Sequence, residues 1–278
     1  MFSNFRRGVA AGLAGLATTL AAASATAGGW GEINLPVGVT SISRGAYDLH
    51  MLMLWISVVI GIIVFGVMFV SIVLHRKAAG HKPAQFHHST RAEIAWTIIP
   101  FVILLGFAIP ATKTLIDMED TSEPDLTLKV TGYQWLWKYE YVEAGVTFYS
   151  NLASSSRSAI YGDPRSVENY LLEVDNPVVL PVGKKVRLLL TSGDVIHSWW
   201  VPAFGMKKDA IPGYFNQMWF RIEEPGIYRG QCAELCGKDH GFMPIVVEAK
   251  SEDAYKQWLA AYKAEQQTQL AATSTLSQ

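Results

Sequence analysis

The sequence predicts a two-helix transmembrane hairpin, then an all-β globular domain, then a C-terminal helix. Three observations carry this reading. Two long apolar runs, Met51 to Leu74 and Ile94 to Thr112, occupy the first half of the chain. After Asp117 the pattern changes to short alternating runs rich in Val, Tyr, Trp, Leu and Thr, parted by Gly, Pro, Asn and Asp. That is the signature of a β-sandwich or barrel. After Ser251 the spacing of Tyr255, Trp258, Leu259 and Tyr262 puts one apolar face on a helix. With 278 residues, 50% of them hydrophobic and 17% charged, the chain has room for a membrane anchor and one globular domain.

Taken in order, residues 1–27 begin with Arg6-Arg7, continue through an Ala/Leu/Gly stretch and close on Ala25-Thr26-Ala27. This is the basic start, apolar middle and small-residue cleavage site of a secretory signal, with Gly28 as the mature start. A third transmembrane helix fits less well, because the segment lacks the Leu/Ile/Val density of the later spans.

Residues 28–116 hold the hairpin, with helices expected at about 48–75 and 93–116. Met51 to Leu74 carries no ionisable side chain and would reach roughly 36 Å as a helix, enough to cross a bilayer. The second run contains Pro100 and Pro110, which suggest local bends supported by neighbouring helices. From His75 to Arg91 the chain carries Arg76, Lys77, Lys82 and Arg91 with no acid, whereas Asp117 to Asp125 is acidic. The positive-inside rule makes the connecting loop cytoplasmic and puts both termini outside. His75, His81, His87 and His88 in that loop read as a solvated surface, since no Cys or carboxylate accompanies them. Glu93 reads as an interfacial carboxylate near Arg91.

The β domain is expected over 117–250, with strands at Leu126 to Thr131, Tyr133 to Tyr141, Tyr170 to Val174, Lys185 to Thr191, Asn216 to Glu223, Gly226 to Gly230 and Ile245 to Ala249. Tyr133, Trp135, Trp137, Tyr139 and Tyr141 recur at period two, so they share one face of a strand. The Ser-rich stretch from Ser150 to Ser166 reads as a loop. In the last region, 251–278, Ser251 caps a helix opened by Glu252 and Asp253, and a Gln/Ala/Ser/Thr tail without an apolar face follows. From Asp117 onward there are 15 Lys and Arg against 21 Asp and Glu, a net charge of −6. Such a domain steers a basic partner and argues against nucleic acid. For any single carboxylate, solubility is the plainer account.

The chemistry concentrates in Gly230-Gln231-Cys232-Ala233-Glu234-Leu235-Cys236-Gly237-Lys238-Asp239-His240-Gly241-Phe242-Met243-Pro244, which contains both cysteines of the protein. Thiolate, imidazole and thioether are the ligands that copper prefers over oxygen-seeking cations. A loop this short cannot close a metal shell alone, and His197 is the one other histidine after residue 88. A disulfide, a closed Cys2His2 zinc site and a single blue-type copper remain alternatives. The first two leave Met243 unexplained, and the third leaves one cysteine idle.

Cys232-x-Glu234-x-Cys236-x3-His240-x2-Met243 with the upstream His197 closely resembles the dinuclear copper (CuA) motif of cytochrome c oxidase subunit II. Glu93 to Pro100, Gly132-Tyr133-Gln134-Trp135-Leu136-Trp137, Leu172 to Asn176 and Asp209-Ala210-Ile211-Pro212-Gly213 are similar to other stretches of that family, so the resemblance covers roughly residues 45 to 262. It implies an all-β cupredoxin-like Greek-key barrel with the metal at one pole. His197, His240, Cys232, Cys236, Met243 and the Glu234 carbonyl would hold two copper ions. The Glu234 carboxylate would reach a magnesium or manganese ion shared with subunit I.

The resemblance further implies electron input through Trp135 from cytochrome c, with Asp194 and Glu140 as docking carboxylates, and proton intake at Glu93. Oxygen reduction and proton pumping would belong to a complex with the haem-bearing subunit I and subunit III, so no catalytic residue is expected in this chain. The setting would be the bacterial inner membrane with the copper domain periplasmic. Quinol oxidases share the hairpin and barrel but lack the copper ligands found here. A membrane-anchored copper chaperone or storage protein is the alternative from another class. Tyr214 departs from the arginine common in the family after Asp-Ala-Ile-Pro-Gly.

Overall fold

A computed structural model describes residues 34–80, 82, 85 and 87–276, with side chains described to residue 268. The expected leader, residues 1–27, and His81 lie outside the described residues.

The first helix, α1, spans Ser41–Leu74 and starts ahead of its apolar run because Thr40 caps it. The Thr40 hydroxyl accepts from the Ser43 N–H at 3.0 Å while the Ser43 hydroxyl accepts from the Thr40 N–H at 3.0 Å. Such reciprocal bonds satisfy N–H groups the first turn leaves without partners. The second helix, α2, spans Thr90–Glu119 and contains Pro100 and Pro110. The α1 helix thus starts ahead of the expected 48–75, and α2 runs past both ends of the expected 93–116, since the apolar runs leave out the polar turns at the helix ends.

Ten strands follow: β1 Leu126–Tyr133, β2 Leu136–Tyr141, β3 Val146–Ser150, β4 Val178–Pro181, β5 Lys185–Ser192, β6 His197–Val201, β7 Met206–Ala210, β8 Asn216–Arg221, β9 Gly226–Cys232 and β10 Pro244–Lys250. They form two five-stranded sheets in the orders β3-β2-β1-β5-β8 and β4-β10-β9-β6-β7. The pairs β1/β5 and β4/β10 are parallel and join strands far apart in sequence, as Greek-key connections do. Alternation is regular in β5, whose Val186, Leu188, Leu190 and Ser192 point inward. Leu128, Val130, Trp137, Tyr139 and Phe220 from one sheet and Leu180, Trp199, Val201, Ile245 and Val247 from the other are fully buried in one core.

Three expectations are corrected. The run from Tyr133 to Tyr141 is not one strand: β1 ends at Tyr133 and β2 begins at Leu136, with Gln134 and Trp135 forming the turn across a cis peptide bond. Trp137, Tyr139 and Tyr141 share the buried face, whereas Tyr133 and Trp135 do not join it. Tyr170 to Val174 is not a strand either. Asn169 and Leu171 have φ of 53° and 61°, a left-handed conformation that breaks an extended run, and only Val174 bridges, to Leu152. Finally, the Ser150 to Ser166 stretch contains a short helix, α3, at Ser154–Ala159.

The last helix, α4, spans Glu252–Leu276, so it continues through the Gln/Ala/Ser/Thr stretch whose lack of an apolar face predicts a flexible tail. Ala, Gln and Leu are strong helix formers, which outweighs the missing apolar face. The Ala254 N–H donates to the Ser251 hydroxyl at 3.3 Å. Trp258 packs at a tilt against Tyr141 with 5.5 Å between ring centres, and Tyr262 against Phe148 with 5.6 Å, so the expected aromatic face closes one side of the barrel. The opposite pole, where β1–β2, β5–β6 and β9–β10 turn, is left for the site.

Candidate metal centre

The site is assembled from three turns. His197 opens β6, Cys232 closes β9, and Cys236, His240 and Met243 follow on the connection into β10. His197 is 0% exposed, Met243 1%, Cys236 3% and Cys232 6%, so the centre is shielded from water. Cys232 Sγ lies 3.9 Å from His197 Nδ1 and 3.4 Å from the Glu234 carbonyl oxygen. Cys236 Sγ lies 3.4 Å from His240 Nδ1 and 3.6 Å from Met243 Sδ. The two sulfurs are 3.9 Å apart, and both thiols are free. A disulfide needs about 2.05 Å, so that alternative does not describe this arrangement. A four-ligand zinc site would leave the buried Met243 thioether with no role. Five soft or borderline donors, two thiols, two imidazoles and a thioether, with the Glu234 carbonyl beside them, fit copper by their chemistry.

The surroundings fix the ligands. Asp194 Oδ1 sits 2.8 Å from His197 Nε2, which keeps the proton on that nitrogen and leaves Nδ1 free to bind a metal. A Cβ on Gly132 would come within 2.7 Å of His197 Cδ2, so the imidazole occupies space that only glycine leaves open. Trp137 lies edge-on to the His197 ring at 5.9 Å and donates from Nε1 to the Met243 carbonyl at 3.1 Å.

Charge is finely balanced. Burial pushes the Cys232 thiol up, but hydrogen bonds from His197 and from the main chain at Ser198 and Glu234 outweigh it and hold it below its ordinary value. Cys236 is pushed up to about 12 by burial and by the neighbouring Cys232 charge. Burial disfavours charge on His197 as well, yet its bonds to Cys232 and Asp194 prevail and raise it. Ionising both sulfurs at once would therefore call for a cation beside them.

All six expected ligand positions, His197, Cys232, Glu234, Cys236, His240 and Met243, come together. The Glu234 side chain itself points outward and is exposed. Trp135 stands beside the centre, its Nε1 donating to the Cys236 carbonyl at 3.3 Å, with Lys238 Nζ 5.6 Å above its ring. Asp194 turns its carboxylate inward, accepting from Gln134 N at 2.6 Å and Val195 N at 2.6 Å in addition to His197. Glu140 is clamped between Lys129 at 3.1 Å and Lys138 at 3.3 Å. Glu93 lies in the first turn of α2, near the helix end away from the barrel, where Oε1 accepts from Ser89 N at 3.4 Å. Sequence reasoning missed Gln134, Gly132 and Trp137 as partners of the ligands. The Asp194-x-x-His197 spacing was the one local sign of a second role for Asp194.

A buried cluster of donors compatible with copper, at one pole of a two-sheet barrel that follows a membrane hairpin, defines a membrane-anchored protein of the cupredoxin type. Residues 126–250 match the family described as cytochrome c oxidase subunit II, periplasmic domain, and residues 28–114 match its transmembrane domain. Cytochrome c oxidase subunit 2 of Cereibacter sphaeroides is 45% identical over 191 residues, which is 64% of this chain and 62% of that protein. The probable cytochrome c oxidase subunit 2 of Rickettsia prowazekii is 40% identical over 230 residues, covering 82% and 72%. The crystal structure of the periplasmic domain of subunit II of cytochrome oxidase of Bradyrhizobium japonicum is 40% identical, covers 52% of this chain and 98% of that one, and superposes with a TM-score of 0.47. This chain belongs to the cytochrome c oxidase subunit II family.

Proposed function

We propose that this chain is the electron-input subunit of a proton-pumping cytochrome c oxidase, taking electrons from a cytochrome c and passing them to the haems of subunit I for reduction of oxygen to water. The observation that carries the reading is the doubled geometry of the site. Each sulfur has its own imidazole Nδ1 and one further donor, His197 and the Glu234 carbonyl for Cys232, His240 and Met243 for Cys236. That supports these residues as the holders of two copper ions, and such a pair would supply one-electron exchange. The chain's part is to hold the donors rigidly in a dry pocket, so that little rearrangement accompanies a change of charge. No general base or nucleophile is required of it.

Trp135 is the surface contact for the donor, since its indole joins the half-exposed exterior to the Cys236 main chain by one hydrogen bond. Docking rests on the domain's overall negative charge more than on Asp194 and Glu140, whose carboxylates are engaged internally. The exposed Glu234 carboxylate is available to a magnesium or manganese ion shared with subunit I, and Glu93 to proton intake at the cytoplasmic end. The exposed apolar faces of α1 and α2 suit lipid and the helices of subunit I, with subunit III as a further partner. The basic loop between the helices supports a bacterial inner-membrane hairpin with the barrel periplasmic. The family match that begins at residue 28 supports reading 1–27 as a leader.

Copper content and the electron paramagnetic resonance spectrum of the full chain in detergent, oxidised after copper loading, test this. Two coppers per chain with a seven-line pattern mean one electron shared by two equivalent nuclei. One copper with four lines, or copper surrendered at once to a mild chelator as a chaperone would, overturns it.

A further inference from the structure

Gln134 is an exposed side chain on the two-residue turn between β1 and β2, where an unconstrained glutamine would sample many rotamers. Its side-chain and main-chain nitrogens each nonetheless donate a hydrogen bond toward the candidate metal centre. Its side-chain Nε2 donates to the Cys236 carbonyl at 2.8 Å, the same oxygen that accepts from Trp135 Nε1 at 3.3 Å. Its main-chain N–H donates to Asp194 Oδ2 at 2.6 Å, on the carboxylate whose other oxygen holds His197 Nε2. One residue therefore links the segment bearing Cys236, the carboxylate that orients His197, and the indole beside them. The fit is close: Gly237 has φ +122°, and a Cβ there would lie 3.0 Å from Trp135 Cζ2 and 3.1 Å from Gln134 Nε2.

We propose that Gln134 is a positioning residue for electron input, its side-chain amide holding the Cys236 carbonyl where the Trp135 indole can share it. This rests on the electron-input reading above. Trp135 has one hydrogen bond to the ligand-bearing segment, and a single bond to an exposed turn is easily replaced by water. The second donor on the same oxygen, from the adjacent residue, ties the turn to the loop at two points and sets the indole's distance from Cys236. A small displacement at such a contact is enough to slow a reaction by an order of magnitude or more. Gln134 touches the Cys236 carbonyl and no candidate ligand atom, so in this role it acts through Trp135.

The test uses Gln134→Glu, which keeps the shape and removes the donor, beside Gln134→Ala and Trp135→Phe. All are full chains in detergent, loaded with copper and matched by copper content. Each is reduced by a basic soluble cytochrome c and, separately, by hexaammineruthenium(II), which needs no docking. The ratio of the two rates falls about tenfold in Gln134→Glu and Gln134→Ala and at least as far in Trp135→Phe. In the copper-free chain, the Trp135 indole N–H resonance, identified by its loss in Trp135→Phe, exchanges faster with solvent in both Gln134 variants. If Trp135→Phe lowers the ratio and Gln134→Glu behaves as wild type in both measurements, side-chain packing rather than the hydrogen bond matters and this inference falls alone. If Trp135→Phe leaves the ratio unchanged, the route through Trp135 falls and the role of Gln134 falls with it.

Discussion

At the scale of residues, the site depends on groups that never touch a metal. Asp194 accepts from His197 Nε2, from Gln134 N and from Val195 N, and its own carboxyl is held low because those bonds outweigh its partial burial. Replacing it by alanine frees the imidazole to rotate or to carry its proton on Nδ1. Copper affinity of the full chain is expected to fall about 10- to 100-fold in Asp194→Ala, the usual cost of losing such an orienting partner. Competition with a chelator of known affinity measures it. A variant that bound copper as wild type but reacted poorly with cytochrome c would return Asp194 to the docking role. The cluster of candidate ligands was legible in the sequence, because five of its six members lie within twelve residues and copper accounts for Cys, His and Met together. The partners were not. Gln134 and Cys236 meet across a hundred intervening residues, and no local pattern announces such a bond.

At the scale of elements, the aromatic run was half legible. Period two correctly put Trp137, Tyr139 and Tyr141 on one face, but the same period continues unbroken through Tyr133 and Trp135, and no Gly or Pro marks the turn between them. β3, β4, β6 and β7 were missed because each has four or five residues, and β7, Met-Lys-Lys-Asp-Ala, carries three charges. The buried tyrosines have a measurable consequence. Burial raises Tyr139 and Tyr141 well above the ordinary tyrosine value, and burial with the Glu143 charge pushes Tyr255 up to about 12. Below about pH 10 folded and unfolded chains both keep these protons. Above it the unfolded chain releases them while the folded chain retains them, so stability falls as pH rises through the window from about 10 to 12. Each such group contributes a slope of up to about 1.4 kcal/mol per pH unit. Urea midpoints of the copper-free chain at about pH 9, 10 and 11 should decline accordingly. Tyr139→Phe should flatten the decline, and an unchanged slope in that variant would mean that Tyr139 ionises in the folded barrel.

At the scale of the whole molecule, the boundary between anchor and domain is not where composition changes. The apolar and acidic patterns put it at Asp117, yet the segment leading into α1 is part of the barrel. Val39 N donates to the Ala203 carbonyl at 3.0 Å, Glu223 N donates to the Val39 carbonyl at 3.0 Å, and the buried Thr40 hydroxyl donates to the Phe204 carbonyl at 2.9 Å. Ile42 is 5% exposed within the barrel's core, and Arg44 pairs with Glu223 and Glu224. A domain beginning at Asp117 loses all of this. Exposing the cleft filled by Ile42 costs roughly 1.5–3 kcal/mol, and the lost Thr40 bond about 1 kcal/mol more. The fragment from Asp117 to Gln278 should therefore unfold at lower urea than the same barrel in the full chain, followed by near-ultraviolet circular dichroism of its buried tryptophans. Ile42→Ala in the full chain should move the midpoint part of the way. Equal midpoints for fragment and full chain would show that the lead-in segment merely rests on the barrel. A lower fragment midpoint makes the stretch before the first membrane helix a structural part of the copper domain, so that the anchor holds the barrel from both ends of the hairpin.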